Sequence, residues 1–310
     1  MADPAVDTVR PIMGAISRLS SFSQDQAFAR NIGWLTPDEQ IRLRTKRVAI
    51  AGLGGVGGSH LLTLARLGVG RFAIADFDTF ELPNFNRQAG ALVSTLGRAK
   101  VSVLADMARD INPLVELAMY PIGVDASNVA RFLDGSDLYV DGLDFFAFQA
   151  RKLVFAECAR RGIPATTAAP LGMGAALLNF MPGGMTFEQY FAWEGCDEQE
   201  MAIRFLVGLS PAMLQRRYLV FPEAVDFASR RGPSTTMACE LCAGIVGAEA
   251  LKILLGRGKV VAAPRGLHFD AYLNVLKRTW RPGGNRHPIQ RVALRIARRM
   301  MGIRKRRDRR

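Results

Sequence analysis

Cysteine is scarce in this chain of 310 residues, with only Cys158, Cys196, Cys239 and Cys242. Cys239-Glu-Leu-Cys242 is a single C-x-x-C pair, and no second pair completes a tetrahedral site, so a structural zinc is not expected. The pair opens an apolar helical stretch (Leu241, Ile245, Val246, Ala250), and Cys158 lies among Phe155, Ala156 and Ala159. Both settings suit cysteine as a small buried hydrophobe. Cys196 sits among Glu194, Asp197, Glu198 and Glu200, which raise a thiol pKa and disfavour a thiolate nucleophile. Unbroken apolar runs are missing as well. Residues 163–187 carry no charge, but Pro164, Pro170, Pro182 and four glycines interrupt them, which argues against a membrane span. The N-terminal Met-Ala-Asp is not followed by a basic region and an apolar block, so no secretory signal is read and a cytoplasmic location is expected. Aromatic residues stop at Trp280, and acids nearly vanish from the same end.

What is present begins at Arg47. Val48, Ala49, Ile50 and Ala51 form an apolar strand that runs into Gly52, Gly54, Gly55, Gly57 and Gly58. Glycines 52, 54 and 57 satisfy G-x-G-x-x-G, which tightens the turn and lets backbone approach a phosphate. A helix over residues 57–67 then aims its N-terminal amides at the anion. Alone, this pattern fits any dinucleotide. A second strand over residues 72–75 ends at Asp76, placed to bind a ribose hydroxyl.

Asn84, Arg87 and Lys100 follow in quick succession. A dehydrogenase has no standing need for them, whereas a triphosphate site needs cationic donors for charge on its phosphoryl oxygens. A Rossmann oxidoreductase therefore explains the glycines and Asp76 but leaves this cluster idle.

The ordered set Asp76-Phe77-Asp78, then L-x-N-x-x-RQ, then Lys100 resembles the ubiquitin-activating superfamily in its ThiF/MoeB branch. The resemblance extends over roughly residues 28–275. It implies ATP and Mg²⁺ as cofactors, and attack of a carboxylate on the α-phosphate to give an acyl-adenylate and pyrophosphate. The carboxylate it implies is the C-terminal glycine of a ubiquitin-like or sulfur-carrier protein. By the same resemblance Gly52, Gly54, Gly55 and Gly57 line the phosphate loop, and Asp76, with Asp78 beside it, serves the nucleotide. Asn84, Arg87 and Lys100 contact phosphates, and Asp144 in DLYVDGLDFF holds Mg²⁺. Arg30 resembles an arginine supplied across a homodimer to the other subunit's phosphates. From the residues alone, either Asp141 or Asp144 can be the metal acid, the other being a helix cap.

Alternating strands and helix-length segments, with helices at 102–111 and 149–161, predict an α/β protein. Its expected core is a Rossmann-like, doubly wound, mostly parallel sheet. Short strands at 164–167 and 172–181, a good helix at 239–255 and a hairpin over 267–280 predict an antiparallel C-terminal extension. The organisation read is a loose lead-in at 1–27, an adenylation domain at 28–276 with an insertion at 183–237, and a basic tail at 277–310.

The tail carries 14 basic residues against one acid, and therefore accounts for the whole net charge of +13. Ile289, Val292, Ala293, Ile296 and Met300 fall at helical spacing within it. A basic amphipathic helix of this kind suits an anionic membrane surface, RNA or an acidic partner. The lack of aromatics argues against base stacking. Two other functions stay open beside the leading one. The first is a tRNA-modifying dehydratase that adenylates a carboxylate on a modified base. The second is a nucleotide-binding scaffold without chemistry.

Overall fold

The computed structural model describes residues 21–225, 229–230 and 232–300. Its eight strands are β1 Arg47–Ala51, β2 Arg71–Ala75, β3 Glu116–Tyr120, β4 Leu138–Asp141, β5 Ala165–Leu171, β6 Gly174–Phe180, β7 Arg265–Asp270 and β8 Val275–Trp280. They form one sheet in the order β3-β2-β1-β4-β5-β6-β7-β8. The first five are parallel, and β5–β6, β6–β7 and β7–β8 pair antiparallel. The mostly parallel Rossmann-like sheet and its antiparallel extension are thus both present.

The α-helices among the described residues are α1 Gln24–Ala27, α2 Pro37–Thr45, α3 Gly55–Arg66, α4 Lys100–Ile111, α5 Val129–Phe132, α6 Phe148–Arg161, α7 Phe187–Phe191, α8 Glu198–Leu209, α9 Thr236–Leu255 and α10 Pro288–Met300. None is long and apolar enough to cross a membrane. Strand side chains alternate between two helical layers, as the period of two requires. Val48, Ile50, Phe72, Ile74 and Val140 pack with Leu61 and Leu64 of α3, Leu104 of α4 and Val246 of α9. Their neighbours Ala49, Ala51, Ala73 and Tyr139 face the opposite layer, built on Phe148, Phe155, Phe187, Phe191, Trp193 and Phe205. Small residues on that side of the strands leave room for an aromatic-rich layer.

Several boundaries move. The lead-in reaches only partly into the described residues. Within it α1 is capped by Ser23 and tied to the body by the Arg44–Asp25 ion pair and the Gln24–Asn112 bond. The boundary drawn at 276/277 falls inside β8, which is hydrogen-bonded to β7 throughout.

The apolar stripe read in the tail is not the face that packs on the body. α10 buries Leu294 against Ile203 and Val207 of α8, with Ala293 and Ala297 beside it, while Ile289, Val292 and Ile296 stay exposed. The reason is polar. Gln290 Nε2 donates to the Val207 carbonyl at 3.0 Å, and Arg298 Nε donates to Glu200 at 2.8 Å, so hydrogen-bond partners choose the inward side. The Met300 side chain and residues 301–310 lie outside the described residues.

Candidate active site

β1 and β4 are neighbours whose following helices leave on opposite sides of the sheet, and a crevice opens at their carboxyl ends. Backbone fills that crevice so closely that side chains are barred. A methyl group on Gly57 would lie 1.8 Å from the Gly52 carbonyl oxygen, and one on Gly52 (φ +82°) would lie 2.3 Å from that of Gly142. The turn after β1, the start of α3 and the turn after β4 therefore interlock, with the N-terminal amides of α3 at the junction. Gly54 is less constrained, since a methyl there meets only Gln88 Nε2 at 3.7 Å. At Gly55 it would meet Cys239 Sγ at 2.9 Å and Arg87 Cγ at 3.6 Å. Arg87 thus lies directly over the glycine turn.

Arg87 comes from the turn that begins at Leu82. The Asn84 carbonyl accepts the Arg87 and Gln88 amides, and Asn84 Oδ1 accepts the Glu81 amide at 3.0 Å, which locks the turn. The guanidinium donates to the Pro83 carbonyl and to Asn86 Oδ1, each at 2.9 Å.

Across the turn, Asp76 at the end of β2 accepts the Leu53 amide at 2.6 Å and the Asp78 amide at 2.8 Å. Burial raises its pKa, opposed by those two bonds and by Lys100. Lys100 is the first residue of α4, nearly buried, and its Nζ lies 3.0 Å from Asp78 Oδ2. Gly52, Gly55, Gly57, Asp76, Asp78, Asn84, Arg87 and Lys100 are in this way brought to one edge of the sheet.

Burial separates the two acids after β4. Asp141 is an internal group: Oδ2 accepts from Arg151 Nε at 2.8 Å and Thr167 Oγ1 at 2.9 Å, and both members of the ion pair are almost solvent-free. The same guanidinium donates to the carbonyls of Leu143, Asp144 and Phe145, at 2.7, 3.0 and 3.2 Å. Asp144 is exposed on the loop so fixed, with Oδ1 accepting the Phe146 amide at 2.9 Å. A magnesium ion suits such a donor set, since it takes one or two carboxylates and completes its shell with phosphates and water.

Arg30 is not brought to this edge. The adjacent Asn31 donates to the Arg66 carbonyl at the far end of α3, and a helix of that length is about 18 Å long. Arg30 is exposed and has no ion pair among the described residues.

Three contributors escaped the sequence reading. Arg151 orders the Asp144 loop, Gln88 is buried beside Gly54 with its Oε1 unpartnered, and Cys239 packs on Gly55. The R-Q pair in the motif was a signal for Gln88; Cys239 was read only as a buried hydrophobe, and nothing marked Arg151. Burial raises the thiol pKa of all four cysteines, most strongly at Cys158 and Cys242.

A glycine turn opening a helix, with an acid at the next strand end and basic groups on both sides, is an arrangement of an α/β protein that suits a phosphate-bearing ligand. The ThiF family matches residues 28–290, and the chain belongs to it. The SAMP-activating enzyme E1 of Haloferax volcanii is 28% identical over 239 residues, which make up 76% of each chain. The tRNA threonylcarbamoyladenosine dehydratase of Bacillus subtilis is 34% identical over 150 residues, 48% of this chain and 57% of that one. The fold also matches a crystal structure of E. coli MccB with ATP, at a TM-score of 0.60 and 18% identity, covering 78% of this chain and 65% of that one.

Proposed function

We propose that the chain is an ATP-dependent adenylyltransferase that activates a carboxylate. The observation that carries this is the placement of Arg87 over Gly55 while Lys100 stands beside Asp78 and Asp76, which surrounds one glycine turn with charge suited to a triphosphate. The turn and the α3 amides hold phosphate oxygens, and Asp76 accepts from a ribose hydroxyl. Asp144 would hold Mg²⁺, which supplies neutralising charge at the phosphates. A carboxylate oxygen then bonds to the α-phosphorus as its bond to the bridging oxygen breaks, releasing pyrophosphate and leaving an acyl-adenylate. This in-line transfer requires positioning and charge stabilisation, without a covalent intermediate on the protein. Arg30, too distant to serve its own turn, would act on a partner subunit's phosphates in a homodimer.

The substrate carboxylate is, in this proposal, the C-terminal glycine of a ubiquitin-like or sulfur-carrier protein. The alignment with an enzyme named as SAMP-activating, along three quarters of both chains, supports it. So does an open apolar trough of about 660 Å³ between α9 and the β7–β8 hairpin, lined by Met237, Leu241, Ile245, Leu267, Phe269 and Leu276. Its apolar lining suits a protein more than RNA. The identity to the tRNA dehydratase keeps a modified tRNA base as the second reading.

AMP release from labelled ATP tests both, with small-protein and RNA fractions supplied separately and Asp144→Ala as control. Release with small proteins alone upholds the first reading. RNA-dependent release replaces it with the second. Tight ATP binding without release in either fraction defeats both.

A further inference from the structure

We propose that the outward face of α10 is a docking surface for anionic phospholipid membranes. This helix is held to the body entirely from its inner side. Leu294 is buried against α8, Gln290 is buried and bonded to the Val207 carbonyl, and Arg298 pairs with Glu200. Asn285, just before the helix, anchors the entry by donating to the carbonyls of Phe191 and Arg204 at 3.0 and 2.9 Å. Among the described residues, no contact on the outer side is therefore required to keep the helix in place.

That outer side is divided lengthwise. Ile289, Val292 and Ile296 are 59%, 50% and 50% exposed and follow one another at helical intervals, which makes a single apolar stripe. Arg291, Arg295 and Arg299 are exposed at four-residue intervals and form the adjoining stripe. Unlike Arg298, these three arginines have no acidic partner among the described residues. Beyond the helix the sequence adds six more basic residues and one acid between 304 and 310.

One exposed aliphatic side chain is ordinary on any protein. Three in line beside three unpaired arginines need an environment that takes both, and the boundary of an anionic bilayer does so. The aliphatic groups enter the acyl boundary, while the arginine stems lie along it with their guanidinium groups at the lipid phosphates. At thirteen residues the helix is about 20 Å long, enough to lie in the plane of the interface and too short to span the bilayer.

Nucleic acid shares the phosphate chemistry, but it gives the aliphatic stripe nothing to contact, and no aromatic residue after Trp280 offers a stacking platform. An acidic protein would need a complementary groove to receive this convex ridge, whereas a lipid surface conforms to it.

The docking surface is independent of the adenylation reading, and the two can fail separately. The full chain is mixed with phosphatidylcholine vesicles, with vesicles containing three parts in ten phosphatidylglycerol, and with a single-stranded RNA, in 0.1 M salt. Sedimentation or retardation reads the bound fraction. Binding to the anionic vesicles alone, weakened as salt rises, is the expected result. Each arginine near an anionic surface is worth roughly five-fold in partitioning, so R291Q/R295Q/R299Q should lose on the order of 100-fold. I289Q/V292Q/I296Q should lose at least about ten-fold through lost apolar burial. All six side chains are exposed, and unchanged melting temperatures would establish that both variants fold. Failure to bind anionic vesicles overturns the proposal, as does RNA binding without vesicle binding. Undiminished vesicle binding by the aliphatic variant also overturns it.

Discussion

His60 should make this protein acid-labile well above the pH at which its carboxylates protonate. It lies on α3, fully buried, and neither ring nitrogen has a hydrogen-bond partner. Burial alone brings its pKa down from 6.5 to about 3. The folded chain therefore keeps a neutral imidazole at any pH above about 3, while the unfolded chain binds a proton near 6.5. As the pH falls below 6.5 the unfolded state gains a proton that the folded state excludes, and stability falls. The loss is about 2 kcal/mol at pH 5 and about 4 kcal/mol near pH 3. His60→Leu keeps comparable bulk and removes the titration, and it also removes two unsatisfied buried nitrogens, so at pH 8 it should be neutral or stabilising. Urea unfolding followed by the emission of the buried Trp193 measures both proteins between pH 8 and pH 5. Other groups titrate in both, so the difference between them isolates His60. The variant should gain about 2 kcal/mol relative to the parent over that interval. A difference that stays constant with pH would refute the reasoning.

At the glycine turn, Gly57→Ala should abolish the nucleotide-induced rise in melting temperature, because its methyl would collide with the Gly52 carbonyl; a preserved shift would remove the turn from the nucleotide site. Lys100→Ala and Asp144→Ala should each slow ATP–pyrophosphate exchange by roughly 10²–10³-fold, the scale of one lost electrostatic donor; near-normal exchange by both would void the site. Arg151→Met should cost about 3–5 kcal/mol of stability by stranding a buried carboxylate, and Arg151→Met/Asp141→Asn should recover part of it; equal losses in denaturant would show that the ion pair carries no such coupling. For Arg30, mixing Arg30→Ala with Lys100→Ala, each inactive alone, should restore exchange, because a mixed dimer contains one intact composite site. No recovery in dimers shown to have exchanged subunits would place Arg30 outside the chemistry.

The parallel half of the fold was legible because its central strands β1, β2 and β4 are buried apolar runs and its turns are marked by glycine. The ordered motif from Gly52 to Lys100 could be read because those groups lie within about fifty residues of chain. Contacts made across the fold left no such mark. Cys239 touches Gly55 only because α9 packs on α3 beside the turn. Helix starts moved by one to three residues where capping is done by backbone: α4 begins at Lys100 after Ala99, with no side-chain cap to announce it.

Two cases where the sequence left a side chain's direction open have the same cause. Asp141 and Asp144 both follow an apolar strand, and local pattern offers each the same roles. Arg151, ten residues on, separates their environments by drawing Asp141 into a solvent-free pair and leaving Asp144 at the surface. In α10 the hydropathy pattern favours the stripe through Ile289 and Ile296, yet Gln290 and Arg298 select the opposite side. A buried polar group left without a partner costs as much as burying an aliphatic side chain returns. When a neighbouring element offers a carbonyl and a carboxylate, as α8 does here, the helix turns toward them, burying Leu294 and leaving Ile289, Val292 and Ile296 outward. The outward residues Ile289, Val292 and Ile296 are then free for the proposed lipid docking.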